Sequence, residues 1–510
     1  MLAQTFSSST VGVDAFIVEV ECNLENQMPG FITVGLPDSA VKESKERVAS
    51  AIKNSGFVFP NKRITVNLAP ADVRKEGSAF DLPIAIGILA AADQVQIEPL
   101  KDYLLLGELA LDGKIRPIKG ALSIAIAAQN QGFKGILIPE ENSNEAAVVE
   151  GLQVYSIKTL SEAVQFLNDT ATLSPLTVEL DKIFEQSTQY FEDFSDVKGQ
   201  ENVKRALEVS AAGGHNIIMI GPPGSGKTML ARRIPGILPP LSLPEALECT
   251  KIHSVAGLLQ TKSGLLGTRP FRSPHHTVSD VALVGGGHHP KPGEISLSHH
   301  GVLFLDELPE FTRNALEVMR QPLEDGKVTI SRATFSVDYP AQFMLVASMN
   351  PCPCGYYTDP NHECNCTIQQ IQKYMARISG PLLDRIDIHC EVPAVGYREL
   401  SQKSIGENST EIRKRVITAR KRQLERFNGK AIYSNSQMKS KDIKQFCKLE
   451  ESGQQLLKIA MEKLGFSARA YDRILKVSRT IADLSDSDHI KAEHISEAIQ
   501  YRSLDRNLFM

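Results

Sequence analysis

Apolar and polar positions follow two different periods in the first third of the chain. Residues 11–20 alternate between apolar and polar side chains, which is typical of a strand with one buried face. Residues 39–52 place apolar side chains at helical spacing, and residues 63–68 return to alternation. From residue 169 to residue 192 the pattern weakens. We therefore predict a mixed α/β domain over residues 1–168 and a linker over residues 169–192.

Short apolar runs that end in polar residues mark the region after residue 192. They occupy residues 216–220, 302–305 and 343–349, and their length and apolar character are those of buried strands in a parallel sheet. From residue 397 onward the pattern is helical. The sequence predicts a fold of the α/β class, with a parallel-sheet core over residues 193–396 and a helical domain over residues 397–510.

A glycine-rich loop follows the first of these runs and fits the P-loop pattern at every fixed position. Glycines let the backbone amides turn toward phosphate oxygens, and the helix that begins after the loop adds positive potential. Lys227 would neutralise phosphate charge and Thr228 would hold Mg²⁺. We predict a nucleotide site formed by Gly221, Pro222, Pro223, Gly224, Ser225, Gly226, Lys227 and Thr228.

The two later runs end in side chains suited to magnesium and to a hydrolytic water. Asp306 and Glu307 directly follow Val302–Leu305, where Asp306 would orient Mg²⁺ and Glu307 would polarise the attacking water. A helix N-cap role is the alternative for these acids. Asn350 ends the run 343–349 and is predicted to position the same water.

Four of the eight cysteines form two close pairs. Tetrahedral Zn²⁺ favours four such soft ligands, whereas a disulfide across one intervening residue would be strained. We predict a structural zinc site with His362 as a substitute ligand, and no open coordination position for catalysis. The expected ligands are Cys352, Cys354, Cys364 and Cys366.

Charge and hydropathy limit the classes of partner. The net charge of -4 gives no overall attraction to nucleic acid, so any surface for a polyanion must be local. Residues 397–510 carry 23 Lys and Arg against 15 Asp and Glu, which fits a DNA-facing surface and a basic solvated face equally well. Nowhere do some 18 apolar residues run together. We expect a cytoplasmic protein with no membrane partner.

Several motifs in the second half resemble a known family. They are Arg272-Ser-Pro-His-His276, residues 293–297, residues 301–311 and residues 379–385. These segments are similar to the magnesium-chelatase-like AAA+ ATPases, and the N-terminal region described below narrows the resemblance to their ComM (YifB) group. The resemblance implies an ATP- and Mg²⁺-dependent homohexameric DNA helicase that promotes branch migration in recombination during natural transformation. Single-stranded and branched DNA and recombination proteins are the implied partners.

The same resemblance assigns roles to three arginines in or near the C-terminal helical domain, which would be the AAA+ lid. Arg385 would be an arginine finger that reaches the γ-phosphate held by a neighbouring subunit, with Arg377 as its competitor. Arg469 would be sensor 2 and act on its own subunit. A surface salt bridge is the alternative for each.

Two further segments would contact DNA in the pore of the ring by family analogy. Residues 284–293 would be a loop inserted in helix 2, and residues 325–337 a hairpin before sensor 1. A purely structural hairpin is the alternative. The candidate contacts are His288, His289, Lys291, Lys327 and Arg332.

In the N-terminal region, residues 75–83 and 107–118 resemble the proteolytic domain of Lon protease. Ser78 occupies the position of the Lon nucleophile, but the position of its activating lysine falls near Leu122, and Lys119 is displaced by about three residues. We expect a Lon-like scaffold without peptidase activity.

Two other functions are compatible with these motifs. One is the motor subunit of a metal chelatase, which needs a separate porphyrin-binding partner. The other is a protein-remodelling or regulatory AAA+ module with a latent peptidase. Stimulation of ATP hydrolysis by DNA, rather than by unfolded protein, distinguishes the DNA motor from the second alternative.

Overall fold

The alternating stretch near the N-terminus belongs to two strands. β1 (Leu2–Val11) and β2 (Asp14–Glu25) pair antiparallel, from Leu2 opposite Asn23 to Val11 opposite Asp14. The turn between them contains Gly12 at φ +64°, a conformation that glycine adopts without strain. The strand predicted from residue 11 therefore starts at Asp14, because a tight turn interrupts the alternation.

The structure is a computed structural model, and it describes the chain except for residues 76, 180–189, 191, 260–263, 288–289, 332–335, 358, 360–361, 397–405, 431 and 503–510. His288, His289 and Arg332 lie outside the described residues. By its internal contacts the chain divides into a first unit, residues 1–188 with 243–267, and a second unit, residues 189–242 with 268–510. Residues 243–267 thus pack with the first unit, although their sequence position lies within the expected 193–396 core.

A seven-stranded mixed sheet forms the first unit, in the order β3-β4-β2-β1-β5-β8-β9. β2 pairs antiparallel with β1 and β4, and the remaining pairs are parallel. β6 and β7 form a separate two-stranded sheet. The strands after β2 are β3 (Gly30–Val34), β4 (Arg63–Ala69), β5 (Tyr103–Leu105), β6 (Glu108–Leu109), β7 (Ile115–Arg116), β8 (Gly135–Pro139) and β9 (Gln153–Ile157).

Helices cover both faces of this sheet, because successive side chains of its strands are apolar and point to opposite faces. In β8, Leu137 packs into one hydrophobic cluster while Ile136 and Ile138 pack into another. Every residue of the helix Asp81–Ala91 is buried. The helices of the first unit are Ser39–Asn54, Asp81–Ala91, Ala121–Asn130, Glu140–Ala146, Leu160–Leu167 and Leu243–Ala256, with a 3₁₀ turn at Glu98–Lys101.

The helix Leu243–Ala256, here called the docking helix, is held to the first unit by packing and by a buried carboxylate. Leu247 packs against the cluster that contains the helix Ala121–Asn130. The Ser254 hydroxyl donates to Glu145, whose Oε1 also accepts from the amide of Leu122 at 2.8 Å. Burial raises the pKa of Glu145.

Five parallel strands build the sheet of the second unit, in the order β11-β14-β17-β10-β18. The α/β class predicted from the sequence is confirmed. Because all five run the same way, the residues that follow them meet at one edge. The strands are β10 (Ile217–Ile220), β11 (Phe271–Arg272), β12 (Gly285–Gly286), β13 (Lys291–Pro292), β14 (Val302–Leu305), β15 (Lys327–Ser331), β16 (Ser336–Pro340), β17 (Met344–Met349) and β18 (Ile388–Glu391).

One hydrophobic cluster joins this sheet to the C-terminal helices, here called the lid. Fully buried His215 lies between core and lid, 3.0 Å from Asp387 and 2.8 Å from Thr480. The lid helices are Ser409–Arg426, Ser440–Phe446, Glu451–Leu464, Ala468–Leu484 and Ala492–Gln500. The other helices of the second unit are Glu201–Gly213, Lys227–Arg233, Asp280–Val284, Glu294–Leu297, Arg313–Val318, Arg320–Asp325, Ile368–Met375 and Gly380–Leu383.

Two small antiparallel ribbons complete the second unit. β12 pairs with β13, and β15 pairs with β16 in the predicted hairpin. Tyr339 of β16 is fully buried, and its hydroxyl donates to the carbonyl of Pro290 at 2.8 Å. Among the described residues, every helix lacks either the length or the apolar character needed to cross a bilayer.

Candidate nucleotide-binding site

The P-loop lies between β10 and the helix Lys227–Arg233, at the carboxyl edge of the parallel sheet. Gly226 precedes the helix at φ +88°, a conformation that a residue with a Cβ would adopt only with strain. A side chain from outside the loop also holds it: Gln200 donates to the carbonyl of Ser225 at 2.9 Å and to the carbonyl of Pro393 at 3.0 Å. The loop is therefore held by neighbouring backbone as well as by its own turn.

Lys227 points into the loop and is almost fully buried. Its ammonium donates to the carbonyls of Gly221 at 2.7 Å and Pro222 at 2.9 Å, and to Asn350 Oδ1 at 3.2 Å. Burial lowers the pKa of Lys227 to about 8, although Asp306 and Glu307 oppose that change. An incoming phosphate would meet an ammonium group held by acceptors that it can replace.

Asp306 follows β14 and is bonded to two hydroxyls. The Thr228 hydroxyl donates to its Oδ2 at 2.7 Å, and the Ser348 hydroxyl donates to its Oδ1. The P-loop hydroxyl and the carboxylate expected to bind and orient Mg²⁺ are therefore adjacent. Ser348 was not predicted; the only signal for it is a polar residue within the otherwise apolar strand β17.

Glu307 adopts a left-handed backbone at φ +55°, and its side chain is half exposed. Its amide donates to the hydroxyl of Ser348 at 3.4 Å. His276 Nδ1 lies 3.6 Å from Glu307 Oε2, and its ring packs against His275 and the edge of Phe311. A histidine therefore stands beside the expected catalytic carboxylate.

Arg385 and Arg469 lie at the opposite edge of the sheet from the P-loop. The side chain of Asn216, which precedes β10, donates to the carbonyl of Arg385 at 2.8 Å. Asn216 and Gly221 are five residue steps apart along an extended strand, or roughly 16 Å at about 3.3 Å per step. Arg469 pairs with Asp384 at 3.5 Å. The backbone of Arg385 and the Asp384 carboxylate that holds Arg469 therefore lie at the amino edge of the sheet, away from the P-loop of the same chain.

The three candidate arginines differ in exposure. Arg385 is 10% exposed and is bonded to Glu324 and to the carbonyl of Pro381. Arg469 is 67% exposed. Arg377 pairs with Glu310 at 2.8 Å, and the side chain of Arg377 is half exposed. Glu310 lies three residues after Glu307 in the chain. To act on another subunit, Arg385 would have to leave Glu324.

The clustered cysteines lie together just after Asn350. The Sγ atom of Cys364 is 3.7 Å from that of Cys352 and 3.6 Å from that of Cys354, and all four sulfurs lie within 4.8 Å of one another. Four thiolates bound at about 2.3 Å to a tetrahedral ion would be roughly 3.8 Å apart. The amide of Tyr356 lowers the pKa of the Cys354 thiol to about 6. The donor set and its spacing therefore fit Zn²⁺.

Comparison with known proteins identifies the family. Family models described as magnesium chelatase, subunit ChlI, match residues 193–400, 20–142 and, for its C-terminal part, 406–502. The chain is 47% identical to the competence protein ComM of Haemophilus influenzae, over 99% of this chain and 98% of that protein. It belongs to the magnesium-chelatase-like AAA+ ATPases. It is also 46% identical to the uncharacterized protein YifB of Escherichia coli, with the same coverage.

Membership of this AAA+ family indicates an ATPase and implies ATP and Mg²⁺ as the ligands of the P-loop pocket. The residues of the pocket fit both ATP and Mg²⁺. The loop presents backbone amides and Lys227 to phosphate, while Thr228 and Asp306 offer oxygen atoms of the kind that Mg²⁺ prefers.

A further relative matches only part of this magnesium-chelatase-like ATPase. The chain is 26% identical to Lon protease 2 of Bacillus subtilis over 147 residues, which are 28% of this chain and 26% of that protein. The Ser78 hydroxyl donates to the Glu108 carboxylate. Burial alone would raise the pKa of Glu108, but hydrogen bonds from Ser78 and Arg116 outweigh it and lower the pKa. Leu122, at the lysine position of Lon, is buried.

Two of the expected DNA contacts of the family lie on the ribbons of the second unit. Lys291 of β13 is exposed. Lys327 of β15 pairs with Asp338 at 2.6 Å, and Thr329 donates to the same carboxylate at 2.6 Å. The charge of Lys327 is therefore partly balanced within the hairpin.

Proposed function

We propose that the chain is an ATP-dependent DNA translocase and helicase that works as a homohexamer. It promotes branch migration in recombination during natural transformation. The position of Arg385 and Arg469 carries this proposal, because side chains held at the edge of the sheet opposite their own P-loop are placed to complete a pocket on another subunit. An interface between the P-loop edge of one copy and the arginine edge of the next is head-to-tail, and such an interface forms a ring when its rotation closes.

Within this proposal each residue of the pocket has a role. Glu307 polarises the attacking water and Asn350 positions it, while Arg385 of the neighbouring subunit stabilises the charge that develops on the γ-phosphate. Arg469 acts on the neighbour's nucleotide and not on its own. Mg²⁺, held through Thr228 and Asp306, neutralises phosphate charge when it is bound.

DNA as substrate is supported by the competence name of the relative from Haemophilus influenzae and by the two ribbons. Lys291 and Lys327 contact the phosphates of single-stranded and branched DNA, and His288, His289 and Arg332 complete the set. Recombination proteins load or receive that DNA.

Two accessory features belong to the same proposal. Cys352, Cys354, Cys364 and Cys366 hold a structural Zn²⁺ ion. The first unit is a Lon-like scaffold without peptidase activity. There, Ser78 is bonded to a carboxylate whose basicity Arg116 reduces, and Leu122 supplies no activating amine.

ATP hydrolysis with and without single-stranded and branched DNA tests the proposal, together with movement of a branched junction. We expect DNA to stimulate wild-type hydrolysis and Lys227→Ala to abolish both activities. Stimulation by unfolded protein instead of DNA would favour a protein-remodelling module. A requirement for a porphyrin-binding partner would favour a chelatase motor.

A further inference from the structure

The segment Met349–Gly355, which ends β17 and opens the cysteine loop, runs alongside the P-loop. At the start of the P-loop, the amide of Gly221 donates to the carbonyl of Met349 at 3.2 Å. At its end, Lys227 donates to the side chain of Asn350 at 3.2 Å. The first two cysteines of the cluster follow within four residues of Asn350, so the metal ligands and the phosphate loop share one short piece of backbone.

A third contact joins the cysteine turn directly to the P-loop. Gly355 has φ +89°, and a Cβ at this position would lie 2.5 Å from Cδ and 2.7 Å from Cγ of Pro223. Real Cβ atoms do not approach so closely, so only glycine lets this turn rest on the proline ring. The turn and the middle of the P-loop are therefore in van der Waals contact.

The same turn is folded around a cysteine sulfur. The amides of Gly355 and Tyr357 donate to Cys352 Sγ at 3.2 Å and 3.3 Å. Cys352 is buried, whereas Cys364 and Cys366 are only partly buried. A metal ion bound by all four sulfurs would fix Cys352 and hence the amide of Gly355. Without a metal ion, four adjacent thiols have no cation to hold them together, and the turn loses its central restraint.

We propose that the four-cysteine site and the ATP pocket are thermodynamically coupled through the Gly355–Pro223 contact. Bound Zn²⁺ keeps the turn on the P-loop and raises the affinity for ATP. Because coupling between two binding sites is reciprocal, bound ATP in turn slows the loss of Zn²⁺. This coupling rests on the zinc site and the ATP pocket of the proposed function. It makes the ATPase responsive to zinc supply.

Zinc release measures the coupling without any reference to catalysis. Full-length protein with one bound zinc is mixed with a chromogenic chelator, and the release rate is followed with and without a slowly hydrolysed ATP analogue and Mg²⁺. We expect the analogue to slow release at least about fivefold, the lower end of typical coupling between sites. Lys227→Ala should keep its zinc and lose the slowing. Equal rates with and without bound analogue in the wild type overturn the coupling.

Two glycine substitutions distinguish the effect of the Gly355–Pro223 contact on ATP binding from the effect of backbone strain. Gly355→Ala adds a methyl group against Pro223 and should weaken ATP binding at least about fivefold while one zinc per chain is retained. Gly429→Ala is the matched control. Gly429 has φ +80°, and a methyl group there would have no atom within 4 Å, so the change imposes similar strain away from the pocket and should leave ATP affinity unchanged. Equal losses of affinity in both variants would remove the contact as the cause.

Different results would contradict the zinc site, the proposed function and the coupling between them. Protein that never contains zinc contradicts the zinc site itself, and protein that does not bind ATP contradicts the proposed function. Protein that binds both, with release rates independent of nucleotide, contradicts only the coupling.

Discussion

Lys227 shows how a single residue of the pocket is prepared for a phosphate. Its ammonium is nearly buried and is bonded to the backbone of its own loop and to Asn350. Burial lowers its pKa to about 8, because the loop offers only partial charge in place of water. A bound phosphate supplies a full negative charge and raises the pKa again.

This change in pKa predicts proton uptake. Below about pH 8 the Lys227 side chain is already charged in the empty pocket. Above about pH 8 Lys227 loses its proton, and a proton must be taken up from the solvent when ATP binds. The affinity for ATP should fall as pH rises above about 8, by at most tenfold per pH unit. Calorimetry at pH 8.5 in two buffers of different ionisation enthalpy measures the uptake. Lys227→Arg stays charged and should show none. A constant affinity between pH 7 and 9.5 would contradict this account.

The docking helix, Leu243–Ala256, shows that an element can pack in a different unit from the segments on either side of it in the sequence. It lies between the P-loop and Asp306 along the chain, yet it packs with the first unit. Ser254, Leu122 and Glu145 form its buried polar contact. A neutral side chain with the same acceptor would serve this contact better than a carboxylate, because burial penalises charge.

Glu145→Gln should therefore stabilise the first unit at neutral pH. Burial raises the pKa of Glu145 in the folded state, so its contribution is fully present below its unfolded pKa and is lost as pH rises through the folded pKa. The melting temperature of the native chain should decline over that range, and the variant should decline less. Melting curves from pH 5 to pH 8 measure this. The idea is wrong if both proteins respond equally to pH.

The two ribbons should differ in how strongly they contact DNA. Lys291 is exposed, whereas Lys327 is paired with Asp338. Lys291→Ala should reduce the slope of log affinity against log salt by about one unit, and Lys327→Ala by less, because its charge is already partly balanced. Lys458→Ala, at an exposed site on the lid, is the control and should not change the slope. Equal slopes for all three variants would exclude the ribbons as the DNA contact.

At the scale of the whole molecule, the proposed function assigns complementary parts of one active site to the two edges of the parallel sheet. The carboxyl edge presents the P-loop, Asp306 and Glu307, and the opposite edge presents Arg385 and Arg469. If Arg385 is an arginine finger, neither edge alone hydrolyses ATP efficiently, since such a finger contributes about 10³ to 10⁵ in rate in other NTPases.

Mixed rings should therefore regain activity from two inactive variants. Lys227→Ala lacks a working P-loop and Arg385→Ala lacks the finger, so an Arg385→Ala subunit next to a Lys227→Ala subunit forms one intact site. We expect each variant alone to be inactive and their mixture to hydrolyse ATP. Lys227→Ala mixed with the Lys227→Ala/Arg385→Ala double variant forms no intact site and is the control. A mixture no more active than that control would contradict action between subunits.

Residues that are neighbours in the chain could be assigned from the sequence, because their geometry is local. A P-loop, an acid pair after an apolar run and two close cysteine pairs each specify a turn or a ligand set over a few residues. The contact of the four sulfurs follows in the same way from short loops.

Contacts between distant segments could be decided only by the tertiary structure. The pairing of Arg469 with Asp384, the approach of His276 to Glu307 and the contact of Gly355 with Pro223 each join residues that no single motif contains. The same holds for the docking helix, whose apolar positions do not reveal which cluster they enter. Hydrophobic burial is non-directional, so the pattern of apolar residues dictates that a face is covered, while the packing of the whole chain selects what covers it.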